Sequence, residues 1–295
     1  DKGILLKRAR QKYLGFELST RLYFDNPDSP LSPSYFGSRL CCDVLRQEGR
    51  KLETSYCNQR WCPVCNRIRT ARLISGYLSQ IQSFKNSYFV TLTKKTVEAC
   101  DLPASIELMA LTWRKITDLA RKTRKGFKGV RKAECTIRPG GRYHYHFHLV
   151  IEGKANAEWL IKNWLQRMGD EAQAGGQDMR KANDKSLKEL FKYFTKLTTT
   201  NPDGKKVMFE SVRMDVIFQA MKGKRIFQPF GGLKIVVEDI EEIIGEEYEH
   251  LEDEFHLWKW YKEDWINELG ECLTNYSPSC DFEKMVESLR YESAI

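Results

Sequence analysis

Between Tyr143 and Val150 the chain reads YHYHFHLV, and this octapeptide restricts the fold more than any other stretch. Successive side chains of a β-strand point to opposite faces, so His144, His146 and His148 line one side together. Three of the chain's five histidines thereby stand in a row. A core rarely clusters imidazoles so tightly, whereas imidazoles at this spacing can share a divalent cation. The segment reads as a strand that carries a candidate metal site on one face.

Gly129 to Ile137 reads as a second strand, and Arg138-Pro139-Gly140-Gly141-Arg142 between the two is a strong turn signal. With the hairpin centred on Gly140, Thr136 faces His144 and Glu134 faces His146. Directly opposed residues project on the same face with Cβ atoms ~5 Å apart. Glu134 then joins the histidines as a carboxylate ligand. Two imidazoles and a carboxylate, with positions left open, suit Mn²⁺ or Mg²⁺ acting on a phosphate. A register slip of one residue would send Glu134 to the opposite face.

Around the hairpin, Ser87 to Thr93 (SYFVTLT) is β-branched and aromatic, as a buried strand would be. Ala104 to Arg124 has the pattern of an amphipathic helix, with Ile106, Met109, Leu111, Ile116 and Leu119 as candidate core positions. Ala157 to Met168, Ser186 to Leu197 and Phe209 to Met221 are also expected to be helical. This order predicts an α+β fold, an antiparallel sheet flanked by helices. Composition suggests three regions: a loop-rich, cysteine-containing stretch over 1–69, the sheet domain over 70–235, and an acidic, aromatic-rich helical tail over 236–295.

The expected helix near Ser186 carries a second constellation, Glu189-Leu190-Phe191-Lys192-Tyr193-Phe194-Thr195-Lys196. Glu189 and Tyr193 are four apart and share a face, as do Lys192 and Lys196. Such a face suits phosphodiester chemistry: a tyrosine oxygen attacks phosphorus, a lysine offsets charge in the transition state, and a carboxylate activates a water or hydroxyl later. Alone, a tyrosine among lysines is an ordinary amphipathic surface feature. Beside the histidine strand it becomes a candidate nucleophile.

Five of the nine cysteines fall between Cys41 and Cys65. Cys57-x₄-Cys62-x₂-Cys65, with Cys41 or Cys42 upstream, supplies four thiolates at structural-zinc spacing. Arg60 and Arg67 close by make a DNA-contacting zinc module one reading. A staple that only fixes the fold is the other.

The net charge is +8, unevenly spread. The charges from Arg114 to Lys132 are almost all positive and Glu238 to Glu254 is strongly acidic, and a basic body of this kind fits a polyanionic partner such as nucleic acid. No apolar run approaches the ~20 residues that span a bilayer. The start of the chain has no signal-peptide core, so a cytoplasmic setting is expected.

Taken in order, FVTLT (Phe89–Thr93), HFH (His146–His148) and ExxKYxxK (Glu189–Lys196) resemble the three motifs of plasmid rolling-circle replication initiators in the HUH endonuclease superfamily. CNQRWCPVC (Cys57–Cys65) and AMKGKR…FGGLK (Ala220–Lys234) resemble segments of one branch of these initiators. The resemblance implies a metal held by His146 and His148, with Glu134 and a possible addition from His144. It implies Tyr193 as nucleophile and Lys192 or Lys196 as a phosphate contact. The product would be a nicked strand with a 3′-hydroxyl and a 5′-phosphotyrosine. Origin DNA, single-stranded or in a hairpin, would be the substrate, with Arg60, Arg67, Arg142, Lys222, Lys224 and Arg225 as candidate DNA contacts. A host helicase and polymerase are implied partners, since no Walker-type phosphate loop occurs in the sequence. With one tyrosine in the motif, termination needs water, Glu189 or a second subunit, so a homodimer enters as one solution. A mobilisation relaxase or a single-tyrosine transposase shares much of this pattern. A histidine-triad nucleotide hydrolase would explain the histidines but not the tyrosine helix, and a non-catalytic zinc-containing DNA-binding regulator would explain cysteines and charge but not the histidines.

Overall fold

The computed structural model describes residues 2–124, 126–191, 196–234, 248 and 250–291. The chain opens with α1 (Lys2–Asp25), α2 (Ser32–Arg39), β1 (Val44–Glu48), β2 (Lys51–Thr54) and α3 (Pro63–Gln82). There follow β3 (Ser87–Thr93), α4 (Leu102–Thr123), β4 (Gly129–Ile137), β5 (Tyr143–Glu152), α5 (Lys154–Met168), β6 (Asp178–Lys181) and α6 (Asp184–Leu190). The remainder holds β7 (Thr198–Thr200), β8 (Lys206–Met208), α7 (Ser211–Met221), β9 (Phe227–Phe230), β10 (Phe255–Tyr261), β11 (Asp264–Ile266) and α8 (Cys280–Tyr291). The fold is α+β with antiparallel sheets, as the order of elements predicts. No helix among the described residues is long and apolar enough to cross a membrane. The chain divides into two compact units, one of Asp1–Ala71, Leu197–Asp215 and Asp239–Ile295, the other of Arg72–Lys196 and Val216–Glu238.

The second unit is built on a five-stranded antiparallel sheet of order β6-β3-β5-β4-β9. On one face Leu92, Ala133, Phe147 and Leu149 are fully buried. Trp113 of α4 and Trp164 of α5 meet the Phe147 ring edge-on at 6.1 and 5.8 Å between centroids. Burying aromatic and branched side chains in this way contributes ~1.5–3 kcal/mol each. The buried stripe of α4 runs through Leu102, Ile106, Met109, Trp113, Ile116 and Ala120, the 3–4 spacing of one helix face. Leu111, expected in the core, falls off that stripe and is 40% exposed, and Leu119 is only half-buried.

The opposite face carries the histidines. Towards one end of the strands, Phe89, Val130 and Val150 are covered by Tyr77 and Ile81 of α3, by Phe84 just after it, and by Leu190 and Phe191 at the end of α6. Towards the β4–β5 turn the same face is open. Phe230 of β9 packs on the far side against Trp113, and Gly129 lets it do so. A Cβ at Gly129 would stand 2.3 Å from the Val150 carbonyl oxygen and 2.8 Å from the Phe230 ring. Pro229 is tolerated because β9 is an edge strand.

In the first unit, β11-β10-β1-β2 form a four-stranded sheet whose inward side chains include Leu45, Leu52, Trp258 and Trp265. Trp258 donates to Gln47 Oε1 at 2.8 Å, and Trp265 to the Cys42 carbonyl at 2.9 Å. Two expectations are corrected here. The region expected to be loop-rich begins with a 24-residue helix. The aromatic tail, expected to be helical, is strand from Phe255 to Tyr261. Its exposure alternates residue by residue, with Trp258 turned in and Phe255, Leu257 and Tyr261 out, which is the period of a half-covered sheet.

Candidate active site

The β4–β5 ladder pairs Glu134 with His146, Thr136 with His144 and Lys132 with His148, the register a turn centred on Gly140 implies. Gly140 and Gly141 adopt φ of 79° and 77°, a left-handed backbone that glycine tolerates without strain. Because the paired residues share a face, Glu134, His146 and His148 converge. One ligand atom from each lies within 4.8 Å of the others.

The two imidazoles are oriented from behind. Nδ1 of His146 lies 3.0 Å from the His144 carbonyl oxygen, which can only accept, so Nδ1 carries the hydrogen and Nε2 the lone pair. Nδ1 of His148 is 3.2 Å from Thr91 Oγ1. The two Nε2 atoms therefore face each other at 3.1 Å, with Glu134 Oε2 3.5 Å from that of His148. Orientation through the second ring nitrogen is the arrangement that metal-binding histidines use. Burial pushes His144, His146 and His148 down to about 4, helped at His146 by its neighbour His148. Near neutrality all three rings are uncharged. Burial opposes ionisation of Glu134, but the Lys132 ammonium and the facing histidines outweigh it and hold the carboxyl below its ordinary value. A buried anion beside two neutral nitrogen donors fits a hard or borderline divalent cation such as Mn²⁺ or Mg²⁺.

His144 stands apart from this trio. Its ring stacks on His146 at 4.9 Å between centroids, and its Nδ1 lies 3.1 Å from an Arg138 nitrogen. The three histidines and Glu134 open into a cavity of about 660 Å³, a size that holds a small ligand. Thr91, Thr93, Lys94, Arg138, Glu189 and Lys196 also line it. Glu189 and Lys196 thus line the same cavity as the histidines. Lys192 and Tyr193 lie outside the described residues.

Two residues were missed. Lys94, 7% exposed, pairs with Glu171 at 2.9 Å on the cavity wall. Lys132, 2% exposed, donates to Glu134 Oε2 at 2.8 Å and to the Glu189 carbonyl at 3.2 Å. Its position two residues before Glu134 was the available signal, since i and i+2 share a strand face. The sequence alone places it in the basic run from Arg114 to Lys132. Arg131, from the same run, is also buried, 4.2 Å above the Phe147 ring centroid.

In the first unit, Cys41, Cys57, Cys62 and Cys65 bring their sulfurs within 4.8 Å of one another. The Cys41–Cys65 and Cys57–Cys65 separations are 3.5 and 3.6 Å. Four thiolates ~2.3 Å from a tetrahedral zinc would stand ~3.8 Å apart, so the set is shaped for one ion. Hydrogen bonding from the Cys41 thiol holds Cys57 and Cys65 below the ordinary thiol value. Cys42 is outside the cluster. Its φ of 58° turns the chain there, and its thiol is buried separately.

The candidate DNA contacts fall in both units. Arg60 and Arg67 are half-buried in the first unit, Arg67 beside Arg8 on a cavity of about 120 Å³. In the second, Arg142 is held by Glu98 at 3.2 Å and Lys224 by Glu107 at 3.0 Å, while Lys222 and Arg225 are exposed.

Comparison with known proteins adds an independent line. Residues 49–164 match the model of a family described as replication protein. A protein named Protein rep from Lactiplantibacillus plantarum is 26% identical over 83% of this chain and 85% of its own length. Another Protein rep, from Lentilactobacillus hilgardii, is 28% identical over 43% of this chain, and the match spans about half, 48%, of that relative. No solved structure matches the chain.

Proposed function

We propose that this chain, similar to replication proteins over residues 49–164 and to two proteins named Protein rep, initiates plasmid replication by nicking one strand of origin DNA. The reading rests on one observation above the others. Glu134, His146 and His148 converge on the cavity that Glu189 and Lys196 also line. A site with a cation-binding trio, a carboxylate and a lysine has the parts that phosphodiester transfer needs.

In this reading Tyr193, three residues before Lys196 in sequence, is the nucleophile. Its oxygen bonds to phosphorus as the P–O3′ bond breaks; its proton goes to a base and the departing 3′-oxygen becomes a hydroxyl. The protein then carries a 5′-phosphotyrosine, and because one phosphoester replaces another no nucleotide triphosphate is consumed. A divalent cation, Mn²⁺ or Mg²⁺, held by Glu134, His146 and His148 would polarise a non-bridging oxygen of the scissile phosphate. Lys196, and Lys192 beside Tyr193, offset charge as it develops there. Glu189 is the base of the later step that releases the covalent intermediate. The four-cysteine cluster holds structural Zn²⁺ and helps seat the DNA. The setting is the cytoplasm of a plasmid-bearing bacterium, where a host helicase and polymerase extend the new 3′-end.

The test is covalent capture. Labelled single-stranded origin DNA is incubated with the protein and Mn²⁺ and run on a denaturing protein gel beside Tyr193→Phe. The reading expects label that travels with protein, requires metal and disappears in Y193F. Cleavage that persists in Y193F would instead point to a histidine nucleophile, as in histidine-triad hydrolases. Binding without cleavage of verified origin DNA would make the protein a non-catalytic DNA-binding regulator.

A further inference from the structure

Lys132 is a buried charged side chain that the chemistry above does not use. It projects from β4 on the histidine face, paired across the ladder with His148, and is among the largest fully buried side chains of the described residues. An ammonium taken out of water is costly unless it is paired and hydrogen-bonded. Two acceptors compensate it. One is Glu134 Oε2 at 2.8 Å, the same oxygen that faces His148. The other is the main-chain carbonyl of Glu189 at 3.2 Å, in the last turn of α6. The Phe191 N–H also donates to this carbonyl, and the C-terminal end of a helix dipole favours a cation. Glu134 and Glu189 both line the cavity, whereas Lys132 does not. The ammonium bridges the two from off the cavity wall.

We propose that Lys132 is a positioning residue that ties the metal-binding carboxylate Glu134 to the end of α6, and so sets where the tyrosine-bearing segment starts relative to the metal. The inference rests on the function proposed above. Apolar packing of Leu187, Leu190 and Phe191 against Phe89, Val130 and Val150 holds α6 on the sheet, but such contacts are not directional. The Lys132 bridge is. It fixes the carbonyl of Glu189, a residue that lines the cavity and precedes Tyr193 by four positions. Reacting atoms misplaced by 1 Å can lose ~100-fold in rate, so a tether between strand and helix has a kinetic role that its burial alone does not reveal.

A role in positioning separates from a role in metal binding. Lys132→Met keeps the length and apolar stem but removes one positive charge beside a site for a divalent cation. Mn²⁺ affinity, measured by calorimetry on the whole protein, should therefore equal or exceed that of the wild type. The single-turnover rate of covalent capture, at saturating Mn²⁺ and origin DNA, should fall by about 10–100-fold with the DNA dissociation constant unchanged. Lys132→Gln, which keeps a hydrogen-bond donor, should lie between and serves the same comparison if K132M does not fold. Wild-type rates in both variants would overturn the proposal, and so would a loss of Mn²⁺ affinity whose effect on rate is fully restored by added Mn²⁺. A wild-type protein that captures no DNA would sink the nicking function as well, whereas an active wild type with an equally active K132M would sink the tether alone.

Discussion

Glu134 stands directly opposite His146 across the β4–β5 ladder, and this single register decides whether the histidine face is a metal site or a row of buried rings. Replacing Glu134 by Gln keeps an acceptor for Lys132 and removes the anionic ligand. Mn²⁺ affinity should fall by at least the ~10–100-fold that losing even an outer-shell partner costs. Calorimetric titration with Mn²⁺ reads this directly. Unchanged affinity would mean that the cation, if bound, takes its ligands elsewhere.

Cys41 and Cys42 are neighbours with opposite fates, and they give a paired test of the zinc cluster. Cys41 places its sulfur 3.5 Å from that of Cys65, while Cys42 is turned away by its left-handed backbone. Cys41→Ser should lose stoichiometric zinc, measured by metal analysis of the purified protein, and lower the melting temperature of the unit that holds it. Cys42→Ser should keep one zinc per chain. Zinc retained by C41S, or lost from C42S, would reverse the assignment.

How much of this was legible before the fold was known follows from the range of each signal. The hairpin was readable because a Pro-Gly-Gly turn and a period-2 strand are both local, and together they fix register. The same holds for Ser87–Thr93 and for the spacing of Cys57, Cys62 and Cys65. By contrast, α1 was missed because its buried stripe of Leu5, Ala9, Tyr13, Leu18 and Leu22 is interrupted by Lys12 and Ser19. Lys12 is buried through long-range contacts, to the Arg39 carbonyl at 2.8 Å and Asp43 at 3.0 Å, that no local pattern reveals. In the tail, alternation through His256, Trp258 and Trp260 was present but was outweighed by the acidic surroundings. Which of Cys41 and Cys42 joins the cluster, and where Lys132 points, depended on tertiary partners.

The depressed histidines predict an acid-sensitive metal-free state. The folded value for His144, His146 and His148 is about 4, against 6.5 for a free imidazole. Between those values the unfolded chain binds more protons than the folded one, so stability is fully present above pH 6.5 and is lost as pH falls towards 4. Each ring contributes at most ~1.4 kcal/mol per pH unit in that window. Urea unfolding of the chelator-treated protein at pH 7, 6 and 5 should show a progressive decrease that His146→Asn reduces. A flat profile would contradict the burial of these rings.

Gly129 offers a test of the sheet that is independent of any metal. A methyl group there meets the Val150 carbonyl and the Phe230 ring well inside contact distance. Overpacking of this kind costs ~1–3 kcal/mol. Gly129→Ala should therefore lower the denaturation midpoint without altering zinc content, and Phe230→Leu in the same chain should recover part of the loss. Recovery would be only partial, since the Val150 carbonyl is backbone and cannot withdraw. A G129A protein as stable as the parent would place β9 elsewhere.

Glu189 lines the histidine cavity from α6 while Lys132 holds its main-chain carbonyl. If Tyr193 is the lone nucleophile of the motif, it cannot hold one DNA end and attack a second phosphate, so release of the covalent intermediate needs a separate base. Glu189→Ala should then form the protein–DNA adduct at close to the wild-type rate but resolve it ~10²–10⁴-fold more slowly, the range a positioned general base contributes. The measurement is a time course of adduct on a denaturing gel after a chase with unlabelled DNA. Accumulation of adduct in E189A assigns the carboxylate to the second step. Decay at the parental rate would transfer that step to a second subunit, and mixing E189A with Y193F protein would then show whether one copy resolves what the other has cut.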